Sequence, residues 1–412
     1  MHLLLTGGGF ENKGAEAMLQ TTRTELGRRL ADATCRVLCA GREHPLALQQ
    51  GFEPVCWPRR PALFHHLVRA SALAVKHPSL VPLLVQHRAG AMKAVEILAD
   101  TDAVIDVSGY AFGQPWGLSV LRRALAIACV CKKRHLPVCF MPQAWGPFED
   151  PRMARAVTQL HKTATCSYAR DALSVQHLVA AGVDPNSIRQ APDIVFRFEA
   201  APPADTASHL ATTGMNADKP FVAMTPNMRM AEIEGELYAA SMAAIARALT
   251  RQSIPVLLLP HERRWTGPVA RRRDDHVLCA DIHRRADHDQ VFMIEANLSP
   301  AQLKAIIGRA DMLVGSRYHS LVFALASKVP CLAVGWSHKY PELMGLLSQQ
   351  SLAPDSAALR SGALPELALR LWGRRTEVRE TIAGLLPAVL SQVDTVFDRI
   401  SHLVQGATGC DA

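Results

Sequence analysis

The sequence of 412 residues lacks the marks of a secreted or membrane-spanning protein. Met1 is followed directly by HLLLTGGG, which has neither the charged start nor the long apolar stretch of a signal peptide. No apolar run reaches the roughly 18 residues of a membrane span. The best candidate, at 118–131, is interrupted by Arg122 and Arg123. We therefore expect a cytoplasmic protein.

The ten cysteines include no C-x-x-C pair. Several of them, such as Cys39 and Cys139, lie in apolar runs, where a free thiol packs as a small hydrophobic side chain. This pattern favours reduced cysteines over a disulfide framework or a zinc site. We expect neither a bound metal nor a cofactor.

The composition excludes disordered, collagen-like and coiled-coil chains, because 49% of the residues are hydrophobic and 20% are charged. The length favours two domains. The formal net charge is +8, which favours anionic partners. Residues 1–200 carry +7 of this charge and residues 201–412 only +1.

Much of the excess lies in one basic segment, residues 54–95, which contains no acidic residue. Its Lys and Arg residues are Arg59, Arg60, Arg69, Lys76, Arg88 and Lys93. One hypothesis is peripheral contact with the anionic inner face of the membrane, where each such charge contributes about 1 kcal/mol. The alternative is a solvated helical face. We predict no nucleic-acid binding, because no recognised module or aromatic-basic pattern is present.

Short apolar runs alternate with amphipathic stretches in the first half of the chain. The apolar runs predict buried strands at 2–8, 35–41, 103–109 and 137–143. The amphipathic stretches predict helices at 15–30 and 118–135. A second alternating series begins at residue 221 and includes strands at 254–262, 311–320 and 330–336. Alternation of this kind predicts an α/β fold with doubly wound parallel sheets.

The expected organisation is two Rossmann-like domains that face each other across a cleft. The first domain spans 1–200 and the second 221–365. Between them, 201–220 is rich in Pro, Ala, Thr and Asp and predicts a linker. Residues 366–412 predict a helical tail. Ligands of such sheets bind beyond the carboxyl ends of the strands, so the polar residues there are the candidates for function.

The first strand leads into the loop TGGGFENKGAEAML. Its glycines permit a tight turn, and the following helix N-terminus favours anions. Asn12, Lys13 and Gly14 are candidate ligand contacts, and Glu16 is a candidate cap or base. The alternative is a purely structural turn, since the spacing is not that of a dinucleotide-binding loop.

Three further candidates end strands of the first domain. Asp106 could bind an acceptor hydroxyl or act as a base, although turn and cap roles are commoner for such residues. Gln143 ends another strand and is either a ligand contact or structural. Arg170 has the planar fork that matches carboxylate or phosphate.

The strongest local signal is a buried strand that ends in GSRYHS and continues directly into an apolar helix. Arg317 and His319 stand at this junction, which suits anion binding and proton transfer. Arg229, His261 and Lys339 follow other strands of the same domain. Cationic side chains on successive strand ends are difficult to explain by packing alone.

Taken together, these segments resemble the polysaccharide pyruvyl transferase family over about residues 2–345. The matching motifs are GGGFENKGAEAML, DVSGYAFG, MPQAWGPF, ARDALSVQHL with APDIVF, and GSRYHSLVFALASKVPCLAVGWSHKY. The resemblance implies a GT-B-like glycosyltransferase architecture. It also implies transfer of the enolpyruvyl moiety of phosphoenolpyruvate to a sugar of a polysaccharide or lipid-linked glycan, as a ketal, with release of phosphate.

The resemblance also implies roles for single residues. Arg317 and His319 match the family's Arg-x-His pair, which is implicated in binding phosphoenolpyruvate. Arg170 and Lys339 match further family positions, as do Asn12, Gly14 and Glu16 in the N-terminal loop. The expected mechanism has Arg170 and Arg317 clamp phosphoenolpyruvate, His319 act as acid, and either Asp106 or Glu16 act as base.

Two alternatives remain open at this point. A nucleotide-sugar-dependent glycosyltransferase could have the same two-domain architecture, because fold alone does not determine function. A non-catalytic binding protein could retain the fold. The cationic strand ends of the second domain favour a small dianion over a nucleotide diphosphate.

Overall fold

The structure is a computed structural model, and it describes residues 1–56, 98, 100–262, 274–335, 337 and 339–408. All six Lys and Arg residues of the basic segment lie outside this part of the chain. The membrane-contact hypothesis for that segment therefore stays a prediction. Within the described residues, no helix is both long and apolar enough to cross a bilayer.

The chain packs as two compact units that do not follow sequence order completely. The first unit comprises Met1–Phe10, Met18–Ile194 and Gln392–Ala412. The second comprises Glu11–Ala17 and Val195–Ser391. If the chain were divided at the predicted linker, 201–220, residues 11–17 would fall in the first unit and residues 392–412 in the second.

A seven-stranded parallel sheet forms the centre of the first unit. Its strands are β1 (His2–Thr6), β2 (Thr34–Cys39), β3 (Glu53–Cys56), β4 (Ala103–Asp106), β5 (Val138–Gln143), β6 (Cys166–Ala169) and β7 (Arg189–Gln190). The strand order is β3-β2-β1-β4-β5-β6-β7. The chain therefore builds outward from β1 in one direction and then from β4 in the other, which makes the β1/β4 pair the topological switch point.

The described helices of this unit follow the strands in sequence. They are α1 (Lys13–Arg29, shared with the second unit), α2 (His44–Gln49), α3 (Leu118–Lys133), α4 (Pro151–Thr163) and α5 (Ala172–Ala180). The strands β4, β5 and β6 are buried along their whole length. Full burial explains their continuous apolar sequences, because the strands of a parallel sheet are covered on both faces.

The second unit contains a five-stranded parallel sheet. Its strands are β8 (Val222–Thr225), β9 (Val256–Leu258), β10 (Val291–Met293), β11 (Met312–Gly315) and β12 (Cys331–Ala333). Their order is β10-β9-β8-β11-β12, so the switch point lies between β8 and β11.

The helices of the second unit complete the fold. They are α6 (Ala204–Ala211), α7 (Met228–Glu234), α8 (Glu236–Thr250), α9 (Asp275–Ala286), α10 (Pro300–Arg309), α11 (Tyr318–Ala326), α12 (Lys339–Gly345), α13 (Ser356–Arg360) and α14 (Leu364–Thr408). Six of the nine residues of α11 are buried, from Ser320 to Leu325. The helix α14 has 45 residues, and its last part belongs to the first unit. The predicted α/β fold with two parallel, Rossmann-like sheets is confirmed.

Candidate functional site

Polar side chains link the carboxyl ends of β8 and β11, which are neighbours in the second sheet. Asn227 accepts a hydrogen bond from the Arg229 backbone N–H at 2.9 Å, which caps the start of α7. Its side-chain amide also donates to the Ser316 carbonyl at 2.9 Å. The hydroxyls of Thr225 and Ser320 lie 2.7 Å apart. The turn from β11 to α11 is therefore fixed to the end of β8.

Two buried tyrosines hold this turn from other directions. The Tyr238 hydroxyl donates to the Ser316 hydroxyl at 2.7 Å, and the Tyr340 hydroxyl donates to the Ser316 carbonyl at 2.9 Å. The backbone immediately before Arg317 is thus held by side chains from α8 and α12. Such a turn can present its side chains in one orientation.

Arg317, which is half-buried, forms an ion-pair cluster with two buried carboxylates. Its Nε and Nη2 donate to the two oxygens of Asp275 at 2.8 and 2.5 Å, and its Nη1 donates to Glu262 at 2.8 Å. Burial lowers the pKa of the guanidinium, but the carboxylates of Asp275 and Glu262 together raise it by more than burial lowers it. The pKa of Arg317 therefore lies above its ordinary value. Three of the five N–H groups of Arg317 are therefore committed within the protein.

Asp275 connects three strand ends of the second sheet. Besides Arg317 after β11, it accepts from the Met228 N–H after β8 and from the Glu262 N–H after β9, both at 2.9 Å. Neither Asp275 nor Glu262 was predicted from the sequence. Their only sequence signal is an acid at the start of α9 and another after the β9 run, which does not indicate a shared partner.

His319 contacts the N-terminal loop that the sequence analysis singled out. Residues 11–17 belong to the second unit, and Asn12 caps α1 there by accepting from the N–H groups of Gly14 and Ala15 at 2.9 and 3.1 Å. A methyl group at Gly14 would lie 1.9 Å from the Nδ1 atom of His319. Only glycine therefore admits the imidazole at this distance from the helix.

Lys13 and Glu16 form an ion pair in the first turn of α1, with Nζ and Oε2 3.9 Å apart. Burial raises the pKa of Glu16 to about 7, although the charge of Lys13 lowers it. Burial also lowers the pKa of Lys13, and Glu16 opposes that effect. Glu16 can therefore exchange a proton near neutral pH, as a general base must.

His261 is a buried imidazole of the same unit, with 3% of its surface exposed. Within the described residues neither ring nitrogen has a hydrogen-bond partner, and the ring stacks on Phe323 at 6.2 Å. Burial lowers its pKa well below the ordinary value, and the charges of Arg317, His319 and Lys13 lower it further. The neutral ring keeps one donor and one acceptor.

The remaining candidates of the second unit lie in different surroundings. Lys339 begins α12, and its Nζ lies 5.9 Å from the Tyr318 ring centre and 5.3 Å from that of Tyr340. Arg229 is largely exposed and pairs with Glu232 at 2.8 Å, one turn along the same helix. Arg229 thus occupies a surface ion pair, of a kind that contributes little to stability.

In the first unit, Asp106 lies at the switch point between β1 and β4. It accepts from the Thr6 hydroxyl at 2.9 Å and from the Ser108 N–H at 3.1 Å. Burial raises its pKa, while the hydrogen bonds from Ser108 and Thr6 lower it. Gly7 has a φ of +80°, and a methyl group there would meet the Ser108 hydroxyl at 2.0 Å. Glycine is therefore required beside this carboxylate.

Arg170 is also held within the first unit. Its Nη1 donates to Asp193 at 2.8 Å, and both side chains are almost completely buried. Gln143 is fully buried, at the end of β5.

The structure therefore brings together one group of predicted site residues in the second unit. Its members are Asn12, Lys13, Gly14, Glu16, His261, Arg317 and His319. Asp106, Gln143 and Arg170 belong to the first unit. The roles in binding and catalysis assigned to all of these residues stay predictions. In the described part of the chain, no cluster of three or more His, Cys, Asp or Glu side chains could hold a metal ion.

The fold and the strand-end sites define a class, namely α/β proteins of the GT-B-like kind. One similar structure is UDP-GlcNAc 2-epimerase from Neisseria meningitidis bound to UDP-GlcNAc, with a TM-score of 0.56 and 10% identity over 98% of this chain and 100% of that one. Another is HepE from Anabaena in complex with UDP and glucose, with a TM-score of 0.59 and 15% identity over 98% and 100%. Likeness at such low identity concerns the fold alone.

The sequence itself is more specific than the fold. Residues 12–338 match the family described as polysaccharide pyruvyl transferase, and the chain belongs to that family. It is also 22% identical over 277 residues to the amylovoran biosynthesis protein AmsJ of Erwinia amylovora. That match covers 65% of this chain and 64% of AmsJ, a little less than two thirds of the relative's length.

The contact between Gly14 and His319 yields the first prediction. Gly14→Ala should displace the imidazole, because the added methyl group would overlap Nδ1. Gly27→Ala in the same helix is the matched control, since nothing lies within 4 Å of its new methyl group. We expect Gly27→Ala to stabilise the protein by up to about 1 kcal/mol. NMR of the His319 ring should report a changed environment only in Gly14→Ala; an unchanged His319 resonance there would contradict the contact.

The Arg317 cluster yields the second prediction. Asp275→Asn removes one of the two negative charges that neutralise Arg317. The free energy of unfolding should therefore fall by about 3–5 kcal/mol. Asp281→Asn is the control, because Asp281 lies in the same helix and pairs with Arg284 and Arg285 nearer the surface. That change should cost about 1 kcal/mol or less. Urea unfolding of both variants measures the difference, and equal losses would contradict a central role for Asp275.

Proposed function

We propose that the protein transfers the enolpyruvyl group of phosphoenolpyruvate to a sugar of a polysaccharide or lipid-linked glycan, forming a ketal and releasing phosphate. The observation that carries the proposal is the group around His319 in the second unit. There a histidine, a lysine and a carboxylate with a pKa near 7 converge on the carboxyl edge of the sheet. Membership of the polysaccharide pyruvyl transferase family supports this choice of donor and acceptor.

The reaction requires an addition and then a displacement at C2 of phosphoenolpyruvate. In the addition, a sugar hydroxyl loses its proton and forms a bond to C2, while the electrons of the C2–C3 double bond take up a proton at C3. In the displacement, another hydroxyl of the sugar bonds to C2 as the bond between C2 and the phosphate oxygen breaks, and the proton of that hydroxyl leaves with the phosphate. The products are a cyclic ketal and phosphate, and no electrons are gained or lost.

We assign the proton transfers to the residues of the second unit. His319 donates the proton to C3, and Glu16 accepts the proton of the attacking hydroxyl. Glu16 is preferred over Asp106 as the base because it belongs to the same unit as His319, whereas Asp106 already accepts from Thr6 and Ser108. A positioned acid or base contributes a factor of roughly 10²–10⁴ to the rate.

In this proposal, several cationic side chains bind the carboxylate and the phosphate of phosphoenolpyruvate, rather than two arginines alone. Arg317 and Arg170 are each engaged by buried carboxylates, so neither offers its whole guanidinium to a ligand. We therefore assign Lys13 and Lys339 to the anionic groups alongside Arg317. The neutral ring of His261 can supply one further hydrogen bond.

Acceptor-dependent phosphate release tests the proposal. With phosphoenolpyruvate and a panel of glycan acceptors, the wild-type protein should release phosphate, and His319→Asn should lose at least about 100-fold in kcat. His283→Asn is the matched control, because His283 is exposed on α9 of the same unit. Full activity of His319→Asn would overturn the acid assignment. Turnover of UDP-glucose without phosphoenolpyruvate would overturn the donor and favour a nucleotide-sugar glycosyltransferase.

The pH dependence of the reaction follows from the raised pKa of Glu16. A base acts in its ionised form, so kcat/KM should rise with pH through about 7. Lys13→Met removes the charge that lowers this pKa, so the rise should move to higher pH. Lys13→Arg retains the charge and should leave the rise in place. A profile that does not move in Lys13→Met would contradict the assignment of Glu16 as base.

A further inference from the structure

The second unit contains a groove with a volume of about 580 Å³, within the range of small-molecule sites. One wall is the segment 348–352, and the other is one side of α14. The α14 residues recur at intervals of three and four, which places them on the same face of the helix. They are Leu367, Arg370, Leu371, Arg374, Glu377, Val378 and Thr381. At 1.5 Å per residue this face is about 21 Å long, so the groove is elongated.

The groove is distinct from the candidate reaction site, although both belong to the second unit. Lys339 begins α12, and the segment 348–352 follows the end of that helix at Gly345. None of the side chains to which a role in the reaction is assigned lines the groove. A molecule bound there would therefore leave the reacting groups free for phosphoenolpyruvate.

Gln349 provides a buried polar group in the wall of the groove. Its side chain is 6% exposed, and its Nε2 donates to the Leu347 carbonyl at 3.1 Å. Within the described residues, its Oε1 accepts no hydrogen bond. An amide oxygen has two acceptor positions, and a buried one gains from a donor. A ligand hydroxyl in the groove can be that donor.

The charged side chains along the groove form two pairs and leave no net charge. Arg374 donates from Nε and Nη2 to Glu377 at 3.0 and 2.7 Å. Arg370 lies 3.5 Å from Glu366, one turn earlier in α14. Exposed pairs of this kind contribute little to stability, so a ligand can share their N–H groups and oxygens at low cost. An ion of either sign would meet a like charge in one of the pairs.

The floor of the groove is apolar and its rim is polar. The floor consists of the aliphatic side chains Leu352, Leu367, Leu371 and Val378, of which the last two are buried. Ser348 and Ser351 contribute exposed hydroxyls. A sugar ring has the same division, since its faces carry C–H groups and its edge carries hydroxyls. A purely apolar ligand would leave the Gln349 oxygen without a donor.

We propose that this groove is a second, non-reacting site that binds a neutral stretch of the glycan acceptor. The inference rests on the proposed function, and it deepens it by assigning a place to a part of the glycan other than the reacting sugar. Hydroxyls of this stretch donate to Gln349 and Glu377 and accept from Arg370. A second contact within one chain raises the effective concentration of the reacting sugar at its own site.

Methyl NMR of the full chain without phosphoenolpyruvate tests the site. The probes are cellotetraose, laminaritetraose and mannotetraose, with tetragalacturonate as the charged comparison. At least one neutral tetrasaccharide should shift the methyl signals of Leu367 and Val378 but not those of Leu385, an exposed residue of α14 outside the lining. Tetragalacturonate should bind at least tenfold more weakly. Unchanged Leu367 and Val378 signals with all three neutral probes, or equal binding of tetragalacturonate, would overturn the proposal.

Two matched pairs of variants at exposed positions locate the binding. Ser351→Leu narrows the groove, whereas Gln350→Leu places the same side chain next to it but outside the lining. Arg370→Ala removes a donor from the rim, whereas Arg399→Ala removes an arginine elsewhere in α14. The Kd of the bound tetrasaccharide should rise at least tenfold in Ser351→Leu and in Arg370→Ala and stay unchanged in the two controls. An unchanged Kd in both Ser351→Leu and Arg370→Ala refutes the location.

The two proposals fail in different experiments. Because tetrasaccharide binding is measured without phosphoenolpyruvate, a protein that binds in the groove but releases no phosphate contradicts the proposed function alone. A protein that releases phosphate from phosphoenolpyruvate, yet whose Leu367 and Val378 signals respond to no neutral tetrasaccharide, contradicts the groove assignment alone.

Discussion

The ion-pair cluster of Arg317, Asp275 and Glu262 is the constraint on which the second unit depends. Asp275 holds the ends of β8, β9 and β11 in register, and Arg317 is the cation that makes its burial tolerable. Buried ion pairs contribute less to stability than their attraction implies, because both charges lose their hydration. The cluster instead fixes the geometry of the turn that carries His319, because Arg317 lies at the start of the helix that contains it.

In the proposed function, the same interaction limits how Arg317 can bind an anion. An arginine held by two carboxylates cannot wrap around a ligand, but it can present its remaining N–H groups from a fixed position. Preorganised donors of this kind stabilise charge that develops during a reaction without having to reorganise. In the proposed function, Lys13 and Lys339 supply further positive charge to the same ligand, and both are already in contact with neighbours, Lys13 with Glu16 and Lys339 with two tyrosine rings.

The sequence alone predicted the parallel sheets, and it placed His319 at the junction after β11. Fully buried parallel strands such as β11 are continuous apolar runs, and His319 lies in the first turn of the helix that follows, so the local pattern was sufficient to locate both. The partners of these residues could not be found in the same way. Asp275 lies 42 positions before Arg317, and the packing of Gly14 against His319 joins residues some 300 positions apart. Such contacts depend on tertiary structure, as does the pairing of Arg170 with Asp193.

The strand order of the second sheet repeats that of five neighbouring strands in the first. In each sheet the order is third, second, first, fourth and fifth along the local chain, and the polar residues gather between the first and the fourth. Each sheet has its own core, but residues 11–17, which follow β1 of the first sheet, belong to the second unit, where Gly14 lies against His319. The other turns can change independently during evolution, whereas a change in residues 11–17 acts on the second unit although these residues follow a strand of the first sheet.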